Sequence, residues 1–370
     1  MKHKITKISS DFYKNFYLRE TFSDDVIMHC GVPNITSNDY KSISFNNRMF
    51  FSIKNNSPHK KIQERLIKNF LQKIPLSSPA IAYRKKLSYL HFLEPHVHGE
   101  SFCRIDLCNF FHNINYDFAK ECFQSYFEDE FLLDKKIKVI DAFLNSLSIE
   151  MEISSGKKKI FPMGFATSPF ISNIIFRKLD ILIKNFCDKK SIIYTRYADD
   201  MLFSGSGTDK LLGSEHFDKE IASIISIAGL SLNMNKKIYK RGIISLNGYV
   251  IENNNGGGER GSLRISNGKT YLIRKALKKY KNGDSKEIIC KKVFLVKKPS
   301  IKYKKNIDLF VNKFYDSQFS NKLAGYRSYF ISLIKFNDKY RCFKDDEIAK
   351  YSAIIEEISS VLLKSQHKIK

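Results

Sequence analysis

No apolar run in the chain approaches the length of a membrane span. Residues 1–12, MKHKITKISSDF, lack the apolar stretch of a secretory signal. The expectation from these absences is a soluble cytoplasmic protein. The seven cysteines, Cys30, Cys103, Cys108, Cys122, Cys187, Cys290 and Cys342, contain no CxxC pair. Cys103 and Cys108 have no second pair to close a zinc site, so buried thiols in a reducing compartment are expected. Internal repeats are absent. Acidic residues are also short, with 38 Asp and Glu against 63 Lys and Arg.

That deficit leaves a formal net charge of +25 and a pI near 9.6. Such a field attracts a polyanion, and nucleic acid is the commonest large one in a cell. The excess is concentrated: Lys269 to Lys305 holds fourteen basic residues and two acidic ones. Thirty Phe and nineteen Tyr in 370 residues supply real cores and exclude disorder over most of the chain. That length suits one large multi-lobed domain or two to three smaller ones.

KSISFNNRMFF, residues 41–51, reads as a strand pair turning at Asn46 and Asn47. Ile62, Leu66, Ile67, Phe70 and Leu71 have helical spacing, and Pro75 stops that helix. FCRIDLCNFF, residues 102–111, reads as a strand carrying Asp106 inside an apolar run. Residues 117–150 are expected to be two helices broken near DEFLLDKKIK, followed by a lysine-rich loop at Gly156. Ser168 to Phe186 have helical periodicity, with Pro169 in the first turn where its missing N–H costs nothing. A hairpin is expected at 191–205, a helix at 214–228 stopped by Gly229, and two short strands around the 241–248 turn. NNNGGGERGS marks a boundary, and the remainder reads as mostly helical with a frayed KSQHKIK end.

The hairpin YTRYADDMLFSG sets Asp199 beside Asp200 inside an otherwise apolar stretch. Adjacent strand residues face opposite sides and like charges repel, so the pair suits a hairpin tip with a divalent cation nearby. Asp106 sits at the end of another apolar strand, and a buried unpaired carboxylate is expensive. If the two elements are neighbours in one sheet, the three carboxylates form one acidic centre. Such a centre suits two magnesium ions ~4 Å apart and nucleotidyl transfer. Magnesium binds through one or two carboxylates plus substrate phosphates, so sparse protein ligation is expected. Lys236 or Lys237 is placed to neutralise nucleotide phosphates.

Four blocks in order resemble the reverse transcriptases of bacterial retrons and their relatives in group II introns and phage-defence systems. Tyr197-Ala198-Asp199-Asp200 resembles the YADD box. DLCNFF, Asp106 to Phe111, resembles the first catalytic box. PMGFATSPFISN, Pro162 to Asn173, resembles the loop and helix lining nucleotide and template, and GLSLNMNK, Gly229 to Lys236, resembles the block after YADD. The resemblance covers about residues 41–250. It implies Asp106, Asp199 and Asp200 as metal carboxylates, and Phe111 beneath the sugar of the incoming nucleotide, where its ring excludes a 2′-hydroxyl. It further implies that Gly164, Ser168 and Pro169 shape the nucleotide pocket and that Tyr197 touches the primer end. Two retron signatures are altered: Phe92-Leu93-Glu94-Pro95-His96 keeps only the histidine of Asn-Ala-x-x-His, and Leu246-Asn247-Gly248 keeps only the glycine of Val-Thr-Gly. Met163 replaces the usual glutamine. Arg48, Lys60 and Arg65 are the candidates for holding the triphosphate.

The implied fold is α+β, a right-hand polymerase with fingers, a palm of antiparallel sheet plus helices, and a mainly helical thumb. Residues 1–40 would be an N-terminal helical segment, 41–260 fingers and palm, and 261–370 a basic thumb on an RNA/DNA duplex. Arg274, Lys275, Lys278, Lys279 and Lys281 surround a helix anchored by Ile273, Leu277 and Tyr280, and phosphate contacts of that kind position without reading sequence. The implied activity is RNA-directed DNA synthesis from deoxynucleoside triphosphates with Mg2+. The template would be a cognate structured non-coding RNA, and the product single-stranded DNA branched from that RNA, in anti-phage defence with an effector protein encoded nearby. The alternatives are a phage-exclusion enzyme making untemplated or protein-primed DNA, a group II intron maturase, a catalytically idle RNA-binding scaffold and a nucleotide cyclase on a related palm.

Overall fold

The computed structural model describes residues 6–23, 25–26, 32–46, 48–132, 137–153, 156–207, 210–253, 261–299 and 306–367. The chain divides into two compact units: Met1–Phe92 with Ser101–Tyr239, and Leu93–Glu100 with Lys240–Lys370. The sequence suggested a boundary in NNNGGGERGS instead, of which residues 254–260 lie outside the described residues, as do Cys30 and Asn47.

The first unit opens with one helical turn, Ser10–Phe12, running into a π-helical stretch, Tyr13–Leu18. The expected strand pair follows as β1, Tyr40–Phe45, and β2, Arg48–Ile53, in antiparallel register. Helix α1, Pro58–Asn69, has its proline in the first turn and buries Ile62 and Leu66. The strand expected over 102–111 is β3, Ser101–Leu107, and it ends before the paired aromatics. Asn109 takes a positive φ of 41° and turns the chain into the short α2, Phe110–Asn113.

The helical reading of 117–150 holds only in part. Helix α3 spans Tyr116–Gln124 and α4 spans Val139–Asn145, with the two-residue strands β4, Phe131–Leu132, and β5, Ile137–Lys138, paired between them. From Ile149 the chain is extended: β6, Ile149–Ile153, pairs antiparallel with β7, Gly156–Ile160, where a loop was expected. The sequence carries the reason. Ile149, Met151 and Ile153 alternate with Glu150 and Glu152, and Glu150 faces Lys159 while Glu152 faces Lys157. Opposite charges directly across a pair stabilise a strand register.

Helix α5, Ser168–Asp188, follows the expectation, with Pro169 in its first turn. Strands β8, Ile193–Tyr197, and β9, Asp200–Gly205, form the expected hairpin. Helix α6, Glu215–Ser226, is capped by the Ser214 hydroxyl and stopped at Gly229, whose φ is +69°. Strand β10, Leu232–Arg241, is ten residues long and begins where no strand was expected. Its charged sequence, LNMNKKIYKR, hides the extended conformation because few of its side chains are apolar. The central sheet has the order β10-β3-β9-β8.

Period-two alternation gives this sheet two chemically different faces. Across β3 and β9, Cys103 faces Phe203 and Ile105 faces Met201. These four are fully buried in one core with Ile175 and Leu179 of α5 and with Phe217 and Ile221 of α6. On the opposite face Arg104 lies across from Leu202 and Asp106 across from Asp200.

The second unit holds an antiparallel sheet of β11, Ile243–Leu246, β12, Tyr249–Glu252, and β13, Ser262–Ile265. Asn247 and Gly248 both have positive φ, 48° and 81°, as a two-residue hairpin turn prefers. Its α-helices among the described residues are α7, Asn267–Lys281, α8, Lys286–Lys292, α9, Ile307–Tyr340, and α10, Asp345–His367. The expected anchors of α7 hold, with Ile273 and Leu277 buried and Tyr280 stacked on Phe319 at 5.2 Å. No helix among the described residues is long and apolar enough to cross a membrane.

Candidate active site

Asp106 and Asp200 are register partners on adjacent strands, so their side chains share one face of the sheet. Asp199 precedes Asp200 in a two-residue turn whose first residue, Ala198, has a φ of +58°. A hairpin turn this short demands positive φ at a central position. Alanine supplies it at a cost of roughly 1–2 kcal/mol that glycine would avoid.

Two cations already answer the carboxylates. Lys236 Nζ donates to Asp106 Oδ2 at 2.9 Å, and Arg104 Nε donates to Asp200 Oδ1 at 3.0 Å with Nη2 on the same oxygen. Of the two lysines in GLSLNMNKK, alternation along β10 sends Lys236 to this site and Lys237 to Asp218 of α6, 2.6 Å away. Arg104 was missed in the sequence. The signal was available, since a residue two positions before Asp106 on a strand must share its face.

Burial, and then the neighbouring Asp106 carboxylate, hold Asp199 above the ordinary carboxylate range. Burial likewise raises Asp200, against the opposing charge of Arg104. Among the described residues no three His, Cys, Asp or Glu side chains are grouped so that they could hold a metal ion by themselves. The donor set still fits magnesium, which needs one or two carboxylates and takes its other oxygens from water and phosphate. The ammonium group standing on Asp106 and the guanidinium on Asp200 mark a place where positive charge is favourable.

A pocket of about 370 Å³ opens beside the aspartates, with Arg48, Phe111, His112, Met163, Asp199 and Lys236 in its wall. Phe111 is 7% exposed and packs on Phe110 at 5.2 Å between ring centres. The charge of Arg48 is felt at Asp199. Lys60 and Arg65 are engaged elsewhere: Lys60 donates to Asn55 Oδ1 at 2.5 Å, and Arg65 to the Tyr17 carbonyl at 3.2 Å. Neither lines the pocket.

Gly164 has a φ of +105°, and a Cβ there would run into the Phe51 backbone. This close approach lets the Phe51 N–H donate to the Met163 carbonyl at 2.8 Å, tying the loop before α5 to β2. Ser168 is buried, and its hydroxyl donates to the Pro162 carbonyl at 2.7 Å. Ser168 and Pro169 thus shape the loop-to-helix corner and are not in the pocket wall. Tyr197 faces Asp200 across the hairpin and packs edge-on against Tyr89, with ring centres 4.9 Å apart.

The chain belongs to the reverse transcriptase (RNA-dependent DNA polymerase) family, whose model matches residues 46–243. Its architecture is accordingly the α+β right-hand polymerase fold. Within the family, bacterial retron enzymes are among its curated relatives. It is 30% identical over 183 residues to the retron Ec86 reverse transcriptase of Escherichia coli, covering 48% of this chain and 50% of that protein. It is 28% identical over 232 residues to the retron Ec83 reverse transcriptase of the same organism, covering 60% and 69%. The match thus spans half the length of the first relative. Among solved structures it superposes on telomerase from Candida albicans with a TM-score of 0.45 at 11% identity, over 90% of this chain and 68% of that one.

Proposed function

We propose that this protein is an RNA-directed DNA polymerase of a retron, copying part of a cognate structured non-coding RNA into single-stranded DNA. The observation that carries this reading is the convergence of Asp106, Asp199 and Asp200, with Asp199 lining a pocket also walled by Phe111 and Lys236. Asp106 and Asp199 would hold Mg2+, with Asp200 beside them. When bound, the metal lowers the pKa of the attacking hydroxyl and offsets charge on the leaving pyrophosphate. Lys236, freed from Asp106 by a divalent ion, would turn to the triphosphate, and Arg48 is the second cation within reach of it. Phe111 would lie against the sugar, and its ring leaves no room for a 2′-hydroxyl, so deoxynucleotides are selected by exclusion. Gly164 keeps the floor of the pocket tied to β2 through the Met163 carbonyl. In the second unit, exposed Arg274, Lys275 and Lys278 on α7 would meet duplex phosphates. A structured template would be recognised by shape and 2′-hydroxyl contacts. The product would be DNA branched from the RNA, and its setting anti-phage defence with an effector protein encoded nearby.

The test is co-purification from cells expressing the gene with its flanking DNA, beside an Asp199→Ala, Asp200→Ala double variant. Bound nucleic acid is digested with RNase or DNase and resolved on a denaturing gel. DNA of one length, joined to RNA and missing from the variant, is the expected result. Ragged DNA without an RNA template would favour a phage-exclusion enzyme, and RNA with no DNA in either sample would favour a scaffold.

A further inference from the structure

Arg196 lies on the core face of the sheet and is entirely buried, as is its partner Asp180 in α5. Its Nε donates to Asp180 Oδ1 at 2.9 Å and its Nη2 to Asp180 Oδ2 at 2.8 Å. The same carboxylate accepts from the Tyr194 hydroxyl at 2.8 Å and from the Ser77 hydroxyl. The guanidinium lies 4.2 Å from the centre of the Phe176 ring, also on α5. The Arg196 backbone is fixed too, donating to the Pro79 carbonyl at 2.8 Å and accepting from the Ile81 N–H at 2.9 Å. One donor leaves this cluster: Nη1 reaches the Ala198 carbonyl at 3.0 Å.

That carbonyl belongs to the peptide joining Ala198 to Asp199, in the turn strained by its positive φ. We propose that Arg196 is a positioning residue, which ties the peptide before Asp199 to helix α5 through Asp180 and so fixes where the Asp199 carboxylate stands. The inference rests on the polymerase reading of the site and adds to it a residue that touches no substrate. Stability alone is a weak account of the cluster, because a buried ion pair commonly gains little over apolar residues of the same volume. A planar fork is required here, with two donors spent on a carboxylate and a third aimed at a carbonyl. A lysine ammonium cannot span both. Misplacement of a reacting group by ~1 Å costs on the order of a hundredfold in rate, so a loosened turn should be visible in the chemistry.

The experiment uses the full chain bearing Arg196→Lys, with Asp180→Asn as a second, isosteric variant. Ser77→Ala and Tyr194→Phe serve as controls that weaken the cluster without touching the turn. Each is melted, then studied at a temperature where it is fully folded. Mn2+ affinity is read by electron paramagnetic resonance, and single-nucleotide addition to a primed RNA is followed as rate against nucleotide affinity. The expected result is that Arg196→Lys and Asp180→Asn bind Mn2+ more weakly and add nucleotide at least about tenfold more slowly, with primer–template affinity unchanged. The two controls are expected to lose melting temperature only. Wild-type Mn2+ affinity and rate in folded Arg196→Lys or Asp180→Asn would overturn the inference, as would an equal loss in the controls. Mn2+ binding that survives at wild-type strength in an otherwise unaltered chain bearing Asp199→Asn overturns the metal reading of the site, which is a separate failure.

Discussion

Asp199 occupies a turn where burial and Asp106 both disfavour its charge. Its folded pKa is therefore above its unfolded one, and the native state holds the proton more readily. Stability must then fall as pH rises from the unfolded value through the folded one, and the loss is complete above the folded value. Metal-free Asp199→Asn is thus expected to melt higher than wild type at neutral pH, with the difference closing below the ordinary carboxylate range. Thermal unfolding in chelator across pH checks this, and an unchanged or lower melting point at neutral pH would contradict it. Phe111 makes a different single-residue prediction. Phe111→Ala is expected to admit ribonucleotides, raising the ratio of ribo- to deoxynucleotide incorporation by on the order of tenfold or more, since the barrier removed is steric. Competition of the two triphosphates on one primed template measures that ratio. Buried His96, whose pKa is pushed down to about 3 by burial, makes a third. Protonation favours the unfolded chain, so stability should decline as pH falls below the usual histidine value. His96→Gln is expected to flatten that decline in urea unfolding at a series of pH values.

At the scale of elements, what was legible in the sequence followed the clarity of each pattern. The β1–β2 and β8–β9 hairpins, α5 with its proline and α6 with its glycine stop all carry alternation or capping signals in their own residues. Strand β10 does not, because LNMNKKIYKR is mostly polar and its pairing with β3 depends on a partner far away in sequence. The β6–β7 hairpin was readable in its Ile-Glu-Met-Glu-Ile alternation but passed as helix end and loop. At the site, the aspartates, Phe111 and Lys236 stood out as residue types in family-like blocks. Asp180 and Arg196 did not, because their roles arise from helix–strand contacts that no local pattern encodes, whereas Arg104 was readable from its place two positions before Asp106 and was passed over. The loop between β7 and α5 offers the element-scale test. Gly164→Ala puts a Cβ against the Phe51 carbonyl at a positive φ and is expected to destabilise by roughly 1–3 kcal/mol. Urea denaturation measures it, and Gly156→Ala, at positive φ but with open space around the Cβ, separates steric clash from backbone strain.

Over the whole molecule the charge of +25 governs association. Replacing Arg274, Lys275 and Lys278 together with glutamine is expected to weaken duplex binding and to reduce its salt slope by about one unit for each phosphate left unneutralised. Titrations at several salt concentrations report that slope. The course of the chain adds a consequence of another kind. Leu93–Glu100 belongs to the second unit although it lies between two stretches of the first. There Gly261 packs on the Val97 carbonyl too tightly for any side chain, Asn253 donates to the His98 and Gly99 carbonyls at 3.1 Å, and the Gly242 N–H donates to Glu100. A cassette cut at Lys240 would therefore leave a missing wedge that no downstream sequence replaces. Exchange of this half between relatives, by recombination or by an engineer, has to carry an eight-residue insert along with the tail, so the two halves are constrained to be inherited together.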